Sequence, residues 1–309
     1  MAGLKELRTR IDAIKSTQKI TSAMKMVAAS RLRRVQILVD KNQGYSQNLR
    51  HSALRVLVEI ENEEKAKNIS FMRPTMLKKV NNPQKYTLYV LSSDRGLCGA
   101  YNSNVAKAAA SRIRELLSKG KTVRVVCLGK KAFDILRRNF RSENVVINQI
   151  DAALKSLPYA EQAKALSELI LREFNNKTFD VCECIYARFV SAISRNFVAE
   201  QVCPLDLNAE HISENELMRI NRSGDAFYEY LPDKLTVLEN ILPILFNDDI
   251  FKIIVNAAAS EHGARMSSMD NATRNAKKMI SELTLKYNSM RQSAITTELI
   301  EIIAGAEAI

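Results

Sequence analysis

Apolar residues recur at helical spacing along the first sixty positions. Leu4, Leu7, Ile11 and Ile14 follow a 3-4-3 rhythm, which resumes at Met24, Val27, Ala28, Leu32, Val35 and Leu38 and returns at Leu49, Ala53, Val56, Leu57 and Ile60. That spacing puts apolar side chains on one stripe of a helix, a seam for a second helix. Thr17, Gln18 and Thr21 read as a polar interruption of it. Between Gly3 and Tyr45 there is no Pro and the only further Gly is Gly44. The pattern therefore predicts one helix over residues 1–60, about 80 Å long at about 1.5 Å per residue. From Pro232 the helical period returns and holds to residue 309. There Ala259, His262, Met266, Met269, Thr273, Ala276, Ile280, Leu283, Tyr287, Met290 and Ala294 form an unbroken 3-4 alternation, a coiled-coil signal. Pro243 is placed to kink the early part of this helix. The seam is small and Met-rich, whereas a stable dimeric zipper prefers Ile, Val and Leu.

Between residues 70 and 206 the period changes. Tyr86–Ser92 and Thr122–Leu128 are short runs rich in β-formers, each followed by a helical segment, Asn104–Ser118 and Lys130–Asn139. Val145–Ile150 reads as a third strand and Tyr159–Phe174, begun by Pro158, as a helix. Strands alternating with helices make βαβ units and a mainly parallel sheet. Phe179–Val190 and Asn196–Leu205 then read as two successive strands, an antiparallel edge. The expected fold class is α/β: a long antiparallel coiled coil of the N- and C-terminal helices with an inserted Rossmann-like α/β domain. Its expected segments are 1–60, 70–206 and 232–309. Pairing the two ends closes a loop of about 200 residues, which chain entropy tolerates because closure cost grows only logarithmically with length. One small domain cannot cover both long helices, so much of their surface meets water or lies inside a partner.

Composition supports the helical reading and adds a charge problem. The chain has 309 residues with nine Gly, six Pro and no Trp, and 46 Lys plus Arg against 34 Asp plus Glu, a formal charge of +12. Residues 1–36 carry nine basic residues and two acidic ones, so +7 of that charge sits in the first helix. The final twelve residues hold Glu298, Glu301 and Glu307 with no basic residue. A basic face of this kind meets nucleic acid, an anionic membrane or an acidic protein surface. The first 44 residues contain no aromatic for stacking on single strands, which favours an acidic protein surface, where charge aids steering and registry. The apolar tip with Leu299, Ile300, Ile302 and Ile303 points to an apolar socket, since free C-termini are normally polar and frayed. No 18-residue apolar run exists, and the charged N-terminus does not read as a secretory signal. The five Cys (98, 127, 182, 184, 203) lie in apolar stretches without Cys-x-x-Cys spacing and read as reduced and buried; Cys182-x-Cys184 lacks further metal ligands.

Motifs of nucleotide and hydrolytic enzymes are missing from the sequence: the G-x-x-x-x-G-K-[ST] loop, G-x-G-x-x-G, H-E-x-x-H and G-x-S-x-G. Leu128-Gly129-Lys130-Lys131 has only the end of a phosphate loop. The dense local motif is Asp94-Arg95-Gly96-Leu97-Cys98-Gly99-Ala100-Tyr101-Asn102, set where a strand gives way to a helix, the place where α/β folds bind anions. No base accompanies it, so the plainer reading is a tight turn made by Gly96 and Gly99 and capped by Asp94 and Asn102. A basic nucleic-acid-binding coiled coil and a small-molecule enzyme using this loop are the rival classes.

Four stretches taken together carry a resemblance. Ile20-Thr-Ser-Ala-Met-Lys-Met-Val-Ala-Ala-Ser30, Ser92-Ser-Asp-Arg-Gly-Leu-Cys-Gly99, Ser260-Glu-His-Gly-Ala-Arg-Met266 and Arg291-Gln-Ser-Ala-Ile-Thr-Thr-Glu-Leu299 closely resemble the gamma subunits of F-type ATP synthases, in the same order and over essentially the whole chain. The wording at 269–273 resembles the bacterial lineage close to mitochondria. The resemblance implies a central-stalk rotor with no catalytic site, cofactor or metal of its own, coupling proton-driven rotation of a membrane c ring to ATP synthesis or hydrolysis on beta subunits. It implies as partners a hexameric ring of alpha and beta subunits, an epsilon subunit and the c ring, and no nucleic acid. Membrane association would be indirect, on the cytoplasmic face of a bacterial inner membrane or the matrix face of a mitochondrion. Carried over by motif, Met24, Lys25, Arg31, Arg33, Arg34, Arg265, Arg291, Gln292, Thr296 and Glu298 are expected to meet the stator ring. Tyr228, Glu229 and Tyr230 are expected to face the c ring and epsilon, although Leu231 stands where the family wording has Glu before Pro232.

Overall fold

The computed structural model describes residues 2–67, 73–78, 80–141, 143, 145–150, 152–207 and 228–307. The expected boundary at 70 and the terminal Ile309 lie outside them. In chain order the elements are α1 (Ala2–Lys67), β1 (Lys85–Leu91), α2 (Tyr101–Ser118), β2 (Thr122–Leu128), α3 (Lys130–Asn139), β3 (Val146–Gln149), α4 (Ala152–Ser156), α5 (Tyr159–Asn175), β4 (Val181–Phe189), β5 (Arg195–Cys203) and α6 (Lys234–Glu307). The fold is the α/β class expected, with long terminal helices flanking a mainly parallel sheet. Strand β2 and helix α3 have the bounds the sequence predicts. Helix α1 runs seven residues past its expected end, α6 continues through Pro243, and the short α4 was not expected.

The chain divides into two compact units, one of Met1–Arg31, Leu97–Gly99 and His262–Ile309, the other of Leu32–Gly96 and Ala100–Glu261. In the second unit the strand order is β3-β2-β1-β4-β5. Strands β1 to β4 are parallel and β5 runs antiparallel to β4. Tyr89, Leu91, Val126, Leu128, Cys182, Cys184 and Tyr186 face one core, shared with Leu166 and Ile170 of α5, Ala53, Val56 and Ile60 of α1, and Leu238, Leu242, Phe246 and Ile250 of α6. Helices α2 and α3 pack on the sheet as well, and Arg112 of α2 grips the buried Glu183 of β4 through two hydrogen bonds of 2.8 and 2.5 Å. Here α6 is enclosed on most faces, from Ile253 to Ala257 without a gap.

In the first unit α1 and α6 pair with each other. The Thr273 and Thr21 hydroxyls lie 2.9 Å apart and Lys25 meets Asp270 at 2.6 Å. The terminal methyl carbon of Met290 lies 3.4 Å from where a Cβ on Gly3 would sit. As the α1 number rises the α6 number falls in step, so the pairing is antiparallel. The expected α6 seam is the less exposed face, with Met269 and Ala276 buried and Thr273, Ile280, Leu283 and Tyr287 half-buried. The α1 seam needs a correction. It is not interrupted at Gln18 and Thr21: those residues and Lys25 are themselves half-buried seam positions. The 3-4 alternation continues through them from Ile14 to Ala28, whereas Val27, expected in the seam, is 54% exposed. Heptad phase decides which side chains face the partner helix, and polarity does not.

One charge in the second unit carries a cost. Asp249 of α6 is nearly enclosed, and burial raises its carboxyl pKa to about 6 despite Arg50 and Lys252, with Glu200 and Asp248 adding to the rise. Arg50 approaches it only to 3.7 Å and spends a hydrogen bond of 2.9 Å on the Asp206 carbonyl. The unfolded carboxyl titrates near 3.8, so the folded state favours the protonated form. Charging Asp249 costs up to about 3 kcal/mol above pH 6, and the cost vanishes as pH falls from 6 toward 4. Asp249→Asn is therefore expected to raise resistance to urea at pH 8, with the gain shrinking through pH 6 and gone near pH 4. An equal change at pH 8 and pH 4 would count against burial as the cause.

Candidate functional site

The basic collar of α1 follows from its heptad phase. Leu32 and Val35 are buried seam residues, so Arg33 and Arg34 between them, and Arg31 just before, fall on the outer face and are exposed. Met24 and Lys25 are half-buried, and the Lys25 ammonium is held by Asp270, which Arg274 also contacts at 2.9 Å. These two cations hold the Asp270 carboxyl below the usual carboxylate range, the Lys25 hydrogen bond being the main cause. On α6, Arg265 is half-buried, while Arg291, Gln292, Thr296 and Glu298 are exposed. The Thr296 hydroxyl donates to the Gln292 carbonyl of its own helix at 3.0 Å. Beyond them Leu299 (53%), Ile300 (61%), Ile302 (71%) and Ile303 (52%) stand exposed.

The Tyr228–Tyr230 segment of the second unit is tied to α1. The Tyr230 hydroxyl donates to Glu59 at 2.9 Å, and the Arg55 guanidinium lies 4.3 Å from the centre of the Tyr228 ring. Burial, then Glu59, pushes the Tyr230 phenol up to about 12. Lys234 bridges Glu59 and Glu63 at 3.2 and 2.6 Å. Asp233 caps α6, accepting from the Thr236 amide at 2.9 Å. Glu229 is exposed and Leu231 is 78% exposed.

The loop after β1, where an α/β sheet would hold an anion, is filled by its own residues. Three amides at the start of α3 have acceptors in Ser92–Asp94: Lys130 N donates to Asp94 at 2.9 Å, Lys131 N to the Ser93 carbonyl at 3.2 Å and Ala132 N to the Ser92 hydroxyl at 3.2 Å. Lys155 adds a contact to Asp94 at 3.1 Å and to the Ser92 carbonyl at 2.9 Å. A Cβ on Gly129, whose φ is +130°, would lie 2.2 Å from the Ser92 carbonyl oxygen, so only Gly allows this approach. The tight turn is real but differs in detail from the sequence reading. Leu97 (φ +64°) and Gly99 (φ +59°) take the left-handed conformation, and Gly96 does not. Asp94 caps α3, and Asn102 accepts from the Ser93 amide at 3.0 Å.

Among the described residues no group of His, Cys, Asp and Glu is placed to hold a metal ion, and no helix is long and apolar enough to cross a membrane. All five cysteines are free and buried, and burial pushes the Cys127 and Cys203 thiols up to about 12. A cavity of about 300 Å³ in the second unit lies between α1, β4 and α6, with Asn42, Phe189 and Lys252 on its walls. Arg188 at its edge is committed to Glu200 at 2.7 Å. The sequence pattern carries no signal for this cavity, whose walls include the polar α1 seam residue Asn42.

Comparison with known proteins covers the whole chain. The ATP synthase family profile matches residues 3–309. An ATP synthase gamma chain of Sinorhizobium medicae is 41% identical over 310 residues, covering 100% of both chains. Those of Bartonella bacilliformis and Mesorhizobium japonicum are 39% and 38% identical, again over 100% of both chains. Among solved structures, a chain of the Euglena gracilis mitochondrial ATP synthase in its OSCP/F1/c-ring assembly has a TM-score of 0.61 at 17% identity, over 99% of this chain and 94% of that one. A chain of the Tetrahymena thermophila mitochondrial central stalk and c-ring structure has a TM-score of 0.53 at 20% identity, over 82% of this chain and 99% of that one.

The self-filled corner has a consequence that anion titration reads. Asp94→Ala removes the acceptor for the first amide of α3 and a partner of Lys155, and is expected to cost about 1–2 kcal/mol in urea unfolding. Sulfate should recover part of that loss, because the vacated amide then offers a helix N-terminus to an anion. The parent protein should show no such sulfate effect beyond that of salt in general; equal sulfate stabilisation of both would mean that the corner is open.

Proposed function

The chain belongs to the ATP synthase gamma-chain family, and from that premise we propose how it works as the rotating central stalk of an F-type ATP synthase. The nucleotide chemistry then resides on other subunits. The observation that carries this reading is the antiparallel pair of α1 and α6, joined along one seam and basic on the outer face of α1. Two helices alone cannot bury each other. Among the described residues of the first unit, Ile11 and Ala28 are the buried apolar residues of α1, and on α6 past Ala276 none is buried. A coil so thinly covered is suited to enclosure by a surrounding ring of alpha and beta subunits.

The contact set follows from exposure and charge. Met24, Lys25, Arg31, Arg33 and Arg34 form the α1 side; Arg31, Arg33 and Arg34 meet acidic segments of the ring, while the Lys25 ammonium is engaged by Asp270. Arg265, Arg291, Gln292, Thr296 and Glu298 form the α6 side, and the apolar tip sits in an apolar socket. Each beta subunit's conformation is favoured by contact with one face of an asymmetric shaft, so turning the shaft moves the three sites through their states in sequence. Long-range attraction guides and registers such a contact more than it tightens it, which suits a surface that must move on. The Tyr228–Tyr230 segment, braced against Arg55 and Glu59, presents Glu229 and Leu231 to epsilon and the c ring. In functional terms residues 1–60 and 232–309 are the shaft and 70–206 the α/β domain. The subunit would sit on the cytoplasmic face of a bacterial inner membrane, held there through the complex.

Two measurements test this. Affinity capture of the chain from membranes is expected to bring down ATPase alpha, beta and epsilon subunits in stoichiometric amounts; capture of nucleic acid with sequence preference would favour the rival class. In the reconstituted complex, Arg31→Glu/Arg33→Glu/Arg34→Glu is expected to lower proton pumping per ATP several-fold while the variant still folds and assembles. Unchanged pumping per ATP would remove the collar from the coupling contact.

A further inference from the structure

Two polar contacts cross the first unit among the described residues, with Thr21, Lys25 and Thr273 at seam positions, where a coiled coil ordinarily places apolar side chains, and Asp270 flanking the α6 seam beside Met269. The Thr21 and Thr273 hydroxyls lie 2.9 Å apart, and each also has a carbonyl of its own helix in reach, Gln18 at 3.1 Å and Met269 at 2.8 Å, so one hydroxyl proton bridges the helices while the other goes to its own carbonyl. One turn further along α1, Lys25 meets Asp270 at 2.6 Å. Neither contact adds much stability. The Lys25 and Asp270 side chains are 44% and 31% exposed, and ion pairs so placed contribute little once solvation and side-chain entropy are counted. A Thr–Thr hydrogen bond replaces bonds that both hydroxyls would make with water.

What these contacts possess is direction, which the rest of the seam lacks. Their apolar neighbours on α6 are Met266, Met269 and Ala276, and Met accommodates many surroundings. Apolar burial is non-directional, so a shifted pairing would bury similar area. The polar pairs do discriminate. A slip of α6 by one heptad in one direction brings Lys277 level with Lys25 and Ile280 level with Thr21. In the other direction Gly263 and Met266 arrive there. One slip sets like charges together and the other leaves Lys25 without a counter-charge. Polar residues at seam positions are known devices for fixing coiled-coil register.

We propose that Thr21–Thr273 and Lys25–Asp270 form a positioning layer that locks α1 and α6 in axial register. Through that register the layer fixes the spacing between Arg31 on α1 and Arg291, Gln292 and Thr296 on α6. The proposal rests on the rotor reading for its consequence in coupling and on the contacts alone for its structural content. It places the part Lys25 plays in coupling in the register, through Asp270, and not in a direct ion pair with the stator.

The test uses the full chain with Gly3→Cys/Met290→Cys, positions that face each other in the native pairing because the Met290 methyl reaches Gly3, and measures cross-linking by a short bifunctional thiol reagent that spans the gap between the two thiols. Asp270→Lys, which opposes Lys25, is expected to slow cross-linking several-fold, and the exchange Lys25→Asp/Asp270→Lys to restore it. Thr21→Val/Thr273→Val replaces both hydroxyls by groups of the same shape. It should melt at or above the parent temperature, yet cross-link more slowly and lower proton pumping per ATP in the reconstituted complex. A purely structural layer would move melting and coupling together. The proposal is overturned if Asp270→Lys leaves the cross-linking rate unchanged, or if the charge exchange fails to rescue it. Should the parent chain fail to support pumping at all, the rotor reading falls, while the cross-linking comparison still decides the register.

Discussion

The register between the first and last helices is the constraint from which the remaining features follow. Each helix carries a heptad seam, and the two match only when one runs against the other, with Thr21 level with Thr273 and Lys25 beside Asp270. The chain has to leave α1, build a sheet of five strands and return to begin α6 in phase. In the second unit that return is secured by contacts of the same antiparallel sense. Lys234 meets Glu59 and Glu63, and Asn42 donates to the buried Asp248 at 2.9 Å. Loop closure over so long an excursion costs little more than over a short one. What has to be specific is the phase on return, and polar pairs supply it where apolar contacts do not.

Burial is distributed in keeping with that division of labour. In the second unit α1 and α6 serve as core helices, and their side chains share one apolar cluster with the sheet and α5. In the first unit the same two helices have, among the described residues, each other and the short Leu97–Gly99 segment. Their seam is half-buried, and large apolar residues such as Ile20 (61%), Met26 (64%) and Leu285 (69%) face outward. Scattered singly, such residues need no explanation. Along a helix pair without a third layer, they are the surface on which the proposed enclosure would act.

The sequence disclosed the two kinds of segment unequally, for physical reasons. Strand β2 and helix α3 were legible to the residue because β-branched runs and Gly129 punctuate them sharply. The α6 seam was legible because none of its positions from Ala259 to Ala294 carries a charge. The α1 seam was only half legible. Gln18, Thr21, Lys25, Asn42 and Ser46 look like breaks until the partner helix is known, and Met24 and Val27 beside them look like better seam residues. A polar seam residue is satisfied by a group some 200 residues away, and no local pattern reveals that. The exposed collar was readable from composition alone. That Lys25 has a partner on α6 was not, because a lysine's sequence neighbours do not disclose its counter-ion. Helix α4, with five residues, is too short to generate a period.

The α/β domain shows how a fold can be retained while its usual site is closed. The corner after β1 has the local pieces of an anion site: a parallel strand, a Gly at φ +130° and a helix whose first amides have no partner within the helix. Each of its first three amides is taken by a group from Ser92–Asp94, and the ammonium of Lys155 lies against the same loop. Restoring an anion site would require removing acceptors, not adding donors. The Leu97–Gly99 segment of the loop belongs to the helical unit, where a Cβ on Gly99 would lie 3.9 Å from Ser268. The function of such a fold has to be read from its site, since the topology alone would have pointed to a nucleotide.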